Sequence, residues 1–224
     1  MRKTGIPNGG PHLRRFLASL VALLLPVSAS ATIIGGTVTG GTALPAGGTF
    51  VKLAPSLPNP FGPANSVGSD TFQSPNLFGF DEDQNIVISA ALAVDVGTSP
   101  LPIGTIVASH YVFFDPGLSQ HIIGTVDFDA DVLAIITSTS HLFNSDFLAK
   151  TGVNYLNPNL RGLESGDAVT ISGPRQILFD TTASSPGDYV RVLTASSPGA
   201  VPEPATLALL GLGLAGLGLS RRKQ

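Results

Sequence analysis

The sequence predicts an all-β protein: an antiparallel β-sandwich, with a jelly-roll as one of its arrangements, carrying an N-terminal signal peptide and a single apolar helix at its C-terminus. Three observations predict it. Short runs of β-branched and aromatic residues recur between clusters of Gly, Pro, Asn and Asp. No long stretch shows the 3.6-residue apolar period that crossover helices between parallel strands would need. Finally, an uncharged apolar run stands near each end of the chain, outside the strand-like region.

At the N-terminus, Arg2, Lys3, Arg14 and Arg15 precede an apolar run over residues 16–27, and Ala29-Ser30-Ala31 supplies small residues at the two positions a signal peptidase reads. That is the build of a secretory signal peptide cut after Ala31, because the run falls short of the roughly 20 residues a membrane span requires. The chain thus divides into a signal peptide over 1–31, a β domain over 32–200 and a sorting segment over 201–224. Export requires the secretion machinery as a partner.

Within the β domain, strands are predicted at 32–38, 49–53, 86–96, 105–114, 121–138, 168–172, 176–179 and 189–194, with 121–138 either two strands or one bent one. Residues 144–152 are predicted to hold a short helix, with Ser145 as N-cap and Gly152 at its C-terminal end. Residues 55–80 are rich in Pro, Asn, Ser and Gly and read as a long surface excursion rather than a core element. Phe61, Phe72, Phe78 and Phe80 are too many for a solvated linker, so some are expected to pack over a sheet edge. Residues 195–200 form a spacer of small residues.

Charge excludes one class of partner. Seven of the twelve Lys and Arg lie in the two end segments, which leaves five basic residues against fourteen acidic ones within 32–200. A domain this acidic repels nucleic acid, and repels anionic polysaccharide unless cations bridge the two. The chain has no cysteine, so disulfides, thiolate metal sites and cysteine nucleophiles are excluded and packing must supply stability.

Two acidic clusters are candidate cation sites. Asp81, Asp83 and Asn85 place oxygen ligands at alternate positions of a calcium-like loop, yet Ile86 stands where an EF-hand needs glycine and Leu92 where it needs glutamate. A solvated acidic turn ahead of the next strand is the simpler reading. Asp127, Asp129 and Asp131 alternate with Phe128, Ala130 and Val132, which puts three carboxylates on one strand face and three apolar groups on the core face. This too reads first as a solvated face and second as a surface calcium site. No other cofactor is indicated.

The catalytic signals are weaker. His110, His121 and His141 are the only histidines after residue 31 and lie on separate runs without a His-x-His pair, so each reads as a hydrogen-bonded structural residue rather than a shared metal ligand. The nucleophile elbow, the phosphate-cradling loop and the His-Glu-x-x-His helix are all missing. Asp188 and Arg191 stand three apart and point to opposite strand faces, so Arg191 is expected to find its carboxylate on a neighbouring strand and Arg161 to find Glu164.

The C-terminus is the most specific stretch. Val201, Pro202, Glu203 and Pro204 cannot continue a helix; an apolar run over 205–219 follows, and Arg221, Arg222 and Lys223 close it. Gly211, Gly213, Gly216 and Gly218 would weaken a soluble helix, whereas helices in lipid tolerate and pack through glycine. This end resembles the bacterial PEP-CTERM sorting signal. The resemblance implies processing by an exosortase-type membrane protease near the motif, in a Gram-negative host that often makes exopolysaccharide. The runs SHYVFFDP, TVDFDADVLAIIT, RGLESGD and GDYVRVLT also resemble a β domain that recurs in such proteins and brings no function with it.

Together these readings predict an exported, non-enzymatic protein of the cell surface, extracellular matrix or biofilm, held transiently at the inner membrane by its C-terminal helix. Exopolysaccharide would be its partner there. A calcium-assisted carbohydrate-binding or adhesive module is the alternative, and a secreted hydrolase using the carboxylates or histidines is the second alternative.

Overall fold

The computed structural model of the protein describes residues 30–54, 65–68 and 70–196. Residues 1–29 of the predicted signal peptide, the sorting motif and the C-terminal apolar segment lie outside them, as does Phe61, whereas Ala31, the predicted last residue of the signal peptide, is fully buried with Ala108 and Ala130. In chain order the strands are β1 (Ile33–Gly40), β2 (Phe50–Lys52), β3 (Ser66–Val67), β4 (Leu77–Asp81), β5 (Ile86–Val87), β6 (Val96–Gly97), β7 (Ile106–Phe114), β8 (Gln120–Phe128), β9 (Val132–Ile136), β10 (Asn154–Tyr155), β11 (Ala168–Gly173), β12 (Gln176–Ala183) and β13 (Asp188–Ala195). One short helix, α1 (Thr139–Asn144), follows β9. Among the described residues no helix is long and apolar enough to cross a membrane.

Two sheets carry the architecture. One is antiparallel with strand order β1-β8-β12-β11; the other runs β2-β4-β7-β13-β9-β6, with β5 also paired to β7, and is mixed because β2 and β4 are parallel. A small parallel ladder joins β3 to β10. At the centre of the larger sheet, β7 and β13 are buried along nearly their whole length on both faces, which accounts for their almost continuous apolar runs. Val112, Phe114, Val190 and Val192 face the smaller sheet and meet Ile33, Val126, Phe128, Ile177 and Phe179. Tyr111, Phe113, Tyr189 and Leu193 face the other way, under a cover of Phe78, Leu142, Leu148 and Val67. In that second layer the Phe78 and Phe113 rings stack at 5.2 Å and those of Phe113 and Tyr189 at 5.4 Å. Such pairs add about 0.5–1.5 kcal/mol each beyond the area they bury.

Several sequence expectations change here. Residues 121–138 form two strands, β8 and β9, separated by a turn at residues 129–131. The single strand predicted over 86–96 is broken into β5, an isolated Leu92–Leu101 bridge and β6, and Gly97 takes a positive φ of 102° with its backbone against the Leu133 carbonyl. The predicted excursion over 55–80 contains a core strand: β4 is buried through Leu77, Phe78, Gly79 and Phe80, and Phe72 stacks over it. The helix lies earlier than predicted, at Thr139–Asn144, and Ser145 is its C-cap, where its hydroxyl donates to the Leu142 carbonyl at 3.0 Å. A 3₁₀ turn at Asp146–Leu148 follows without side-chain capping by Ser145. The chain ahead of α1 is instead held by Asp95, whose Oδ2 accepts from the Thr137 and Ser138 amides at 2.6 and 2.8 Å.

Candidate functional site

The connection from β12 to β13 turns through Ser184, Ser185, Pro186 and Gly187. Gly187 has φ of 88° and a Cβ there would stand 2.7 Å from the Phe114 carbonyl oxygen, so glycine is what lets this turn press against the end of β7. Facing it is the segment after the 3₁₀ turn Pro158–Leu160, where Gly162 has φ of 111° and a Cβ would stand 2.7 Å from the Thr137 carbonyl oxygen. The two backbones enclose a cavity of about 180 Å³, lined by Thr139, Arg161, Glu164, Ser184, Ser185 and Asp188 among others, with neither histidine nor aromatic ring in its wall.

Asp188 is the unusual group in that wall. It opens β13 on the face directed at the smaller sheet, is 3% exposed, and has the Thr181 hydroxyl of β12 beside it. Burial pushes its carboxyl up to about 7, and the charges of Asp167 and Glu164 push the same way. Arg161, 2% exposed, donates from its two terminal nitrogens to Asp146 at 2.9 and 2.7 Å, and its guanidinium lies over the Tyr155 ring and beside the Tyr111 hydroxyl. The cavity's buried acid therefore holds its proton closer to neutrality than an exposed aspartate does.

Behind Arg161 lies a buried polar network. Glu82 and Arg191 are both fully buried, and Arg191 donates from Nε to Glu82 Oε2 at 2.7 Å and from Nη2 to Oε1 at 3.0 Å. Ser109 and Tyr155 each donate a hydroxyl to Glu82 at 2.6 Å, and Arg191 Nη1 donates to Ser145 Oγ at 2.6 Å and to the Leu142 carbonyl at 3.2 Å. Burial would lower the Arg191 pKa, but the Glu82 charge outweighs it and holds the guanidinium charged. The network ties α1 and the 3₁₀ turn after it to β7 and β13.

The predicted cation ligands are brought to protein donors instead of to one another. Asp81 accepts from His110 Nδ1 at 2.8 Å, the Ile33 amide at 2.9 Å and Thr32 Oγ1 at 2.6 Å, and pairs with Lys52 at 2.8 Å. Burial alone would raise its carboxyl; the bonds from His110, Lys52 and Thr32 overcome that and hold it far below the usual carboxylate range. Asp83 accepts from the Thr151 hydroxyl at 2.6 Å and lies 3.6 Å from Lys150, while Asn85 turns the chain with φ of 57°. Asp127 accepts from Gln176 Nε2 at 2.7 Å, Asp129 from the Thr32 amide at 2.7 Å, and Asp131 from Arg175 Nε at 2.9 Å. Burial alternates through residues 127–130, but β8 ends at Phe128, so Asp129 and Asp131 lie in the turn after it rather than on one strand face with Asp127; Asp127 and Asp129 line an open groove of about 650 Å³ with Arg175 and Gln176. Among the described residues no three His, Asp or Glu side chains are grouped as metal ligands.

Each histidine after residue 31 is fixed by its own aspartate: His110 by Asp81, His121 by Asp180 at 2.7 Å, and His141 by Asp95 at 2.7 Å. Asp188 and Arg191 do point apart, and Arg191 finds its carboxylate beyond its own strand; Arg161, however, pairs with Asp146 rather than Glu164, because the 3₁₀ turn carries Asp146 beneath it. Glu82 and Asp188 were not legible as buried groups. The only hint of Asp188 was a Pro-Gly-Asp turn leading into an apolar strand. The predicted sorting residues Val201, Pro202, Glu203 and Pro204 and the basic stop Arg221, Arg222 and Lys223 lie outside the described residues.

Residues 200–223 match the family model of the PEP-CTERM protein-sorting motif. No curated protein and no solved structure matches the chain.

Proposed function

We propose that the protein is a β-sandwich that acts without catalysis at the cell surface or in the extracellular matrix, after a transient stay at the membrane. One observation carries this reading: the sorting motif at residues 200–223, which marks an exported Gram-negative protein processed by an exosortase, a membrane protease. In this reading Pro202, Glu203 and Pro204 are the motif the protease recognises, the apolar run over 205–219 is the membrane anchor, and Arg221, Arg222 and Lys223 are the basic stop that orients it. The three histidines lie in separate parts of the fold, each against an aspartate of its own, so they do not share one metal or one site. A matrix location suits a chain without cysteine, whose packing does not depend on the redox state outside the cell.

Mass spectrometry of the protein recovered from its host, and from the same host lacking the exosortase, tests the reading. The released protein is expected to end at or near Val201 to Pro204 in the first strain, with residues 205–219 retained in the second. Released protein that still carries residues 205–219 would overturn it.

A further inference from the structure

We propose that the end of the β domain where β13 finishes is a lipid-contacting surface, at which Val87, Ile103 and Ile106 enter the bilayer interface while the protein is held at the membrane. The inference rests on the anchored stay described above and adds to it a contact made by the folded domain itself.

The surface is built by the pairing of β5 with the start of β7. Val87 stands opposite Ile106 in that ladder, so the two side chains share one face. Ile103 sits in the turn ahead of β7, which the Gly104 amide closes on the Ile88 carbonyl at 2.8 Å. Val87, Ile103 and Ile106 are 56%, 68% and 47% exposed. Ile88, Leu92, Val94 and Leu101 of the same stretch are buried in the layer that holds Tyr111 and Phe113. The inward places are thus already filled, and the three outward side chains are not core residues in waiting.

The path of the chain says what covers them. Ala195 pairs with Val107, and the amide of Ser196, the last described residue, donates to the Ile106 carbonyl at 3.4 Å. Residues 197–204 separate Ser196 from the apolar run that begins at 205, and so short a segment spans at most about 30 Å. With that run in lipid, this end of the domain stays close to the bilayer. A short tether gives the contact an effective concentration of about a millimolar or more, so three aliphatic side chains suffice where they would not hold a free protein at a membrane.

Charge and side-chain type agree. Over residues 84–109 the only charged side chain is Asp95, and it is engaged by the Thr137 and Ser138 amides and by His141. In a domain with fourteen acidic residues against five basic ones, this stretch meets anionic lipid without like-charge repulsion. Val87, Ile103 and Ile106 offer none of the aromatic or arginine anchors that carry most protein–protein hot spots. A fluid apolar surface fits them better than a shaped protein pocket.

The chain has no cysteine, so Ile103→Cys, Val87→Cys and Leu118→Cys each take one fluorescent dye. Leu118 is 79% exposed and lies beyond the far end of β7, which makes it the control. The labelled full chain is reconstituted into phosphatidylethanolamine–phosphatidylglycerol vesicles that carry a nitroxide lipid quencher near the headgroups, then floated to show that it is anchored. Dye at Ile103 and at Val87 is expected to lose emission to the quencher by about twofold or more, with little change at Leu118. Adding Ile106→Asp to Ile103→Cys is expected to remove most of that loss. A chain that does not float overturns the anchored stay and this proposal together. A floated chain whose dye at Ile103 is quenched no more than that at Leu118, or equally with Ile106→Asp, overturns this proposal alone. So does emission that follows the density of protein rather than the quencher, which marks a second copy or another protein on the same surface.

Discussion

Replacing Glu82 by Gln tests whether the helix side of the larger sheet is held by charge or only by packing. Glu82 is fully buried and accepts four hydrogen bonds, two from Arg191 and one each from Ser109 and Tyr155. A glutamine of the same shape keeps one acceptor oxygen but presents an NH₂ to donors already aimed at that position, and it strands the Arg191 charge in a site with no exposure. Asp146, 3.3 Å from Arg191 and shared with Arg161, compensates only in part. Breaking a buried pair from one side costs about 3–5 kcal/mol. With a urea dependence of about 2 kcal/mol per molar, the unfolding midpoint should fall by about 1.5–2.5 M. Asp131→Asn serves as the control, because it breaks a pair with Arg175 in which both side chains are more than half exposed, and it should cost less than about 1 kcal/mol. Removing both charges together, Glu82→Leu with Arg191→Met, should recover much of the loss, since an apolar pair escapes the desolvation that the ions suffer. If Glu82→Gln costs no more than Asp131→Asn, the network is ornamental and α1 is held by the packing of Leu142 and Leu148 and by the bonds to Asp95.

Asp188 makes the opposite kind of prediction. Its carboxyl rises from 3.8 to about 7 on folding, so between those values the folded state holds the proton more tightly, and stability is greatest below pH 4 and falls as pH rises through 7. The full penalty is about 4 kcal/mol, which water entering the cavity reduces. Asp188→Asn should therefore be more stable than the parent at pH 8 and indistinguishable from it at pH 4, as chemical denaturation at the two values will show. Calcium, by contrast, should leave the melting temperature unchanged at millimolar concentration, because Asp81, Asp83, Asp127, Asp129 and Asp131 are each bonded by the protein's own donors. A rise of several degrees that Asp83→Ala or Asp129→Ala removes would refute that account.

What could be read from the sequence follows from how local each signal is. The strands β7, β8 and β13 are long, rich in β-branched and aromatic residues and bounded by turn formers, so their existence and facing are encoded within nine residues. Strand β4 is different: five residues, one of them Gly79, flanked by Pro and Asn, become a strand only because β7 already offers an edge and Phe72, Phe78 and Phe113 close over it. The short helix lies elsewhere than its local sequence places it for a related reason. Ser145 carries a capping side chain in either direction, and what starts α1 is Asp95, more than forty residues upstream, reaching the Thr137 and Ser138 amides. The same distinction governs the sites. Asp127, Asp129 and Asp131 announce themselves by spacing, yet the partners that occupy them, Gln176, Thr32 and Arg175, belong to other segments. Asp188 shows no local cluster at all; it becomes a buried acid only when β13 stacks on β12 and the Gly162 and Gly187 turns close around it. In this fold the visible acidic clusters are structural anchors, and the acid that burial raises to about 7 is a single carboxylate whose surroundings only long-range pairing creates.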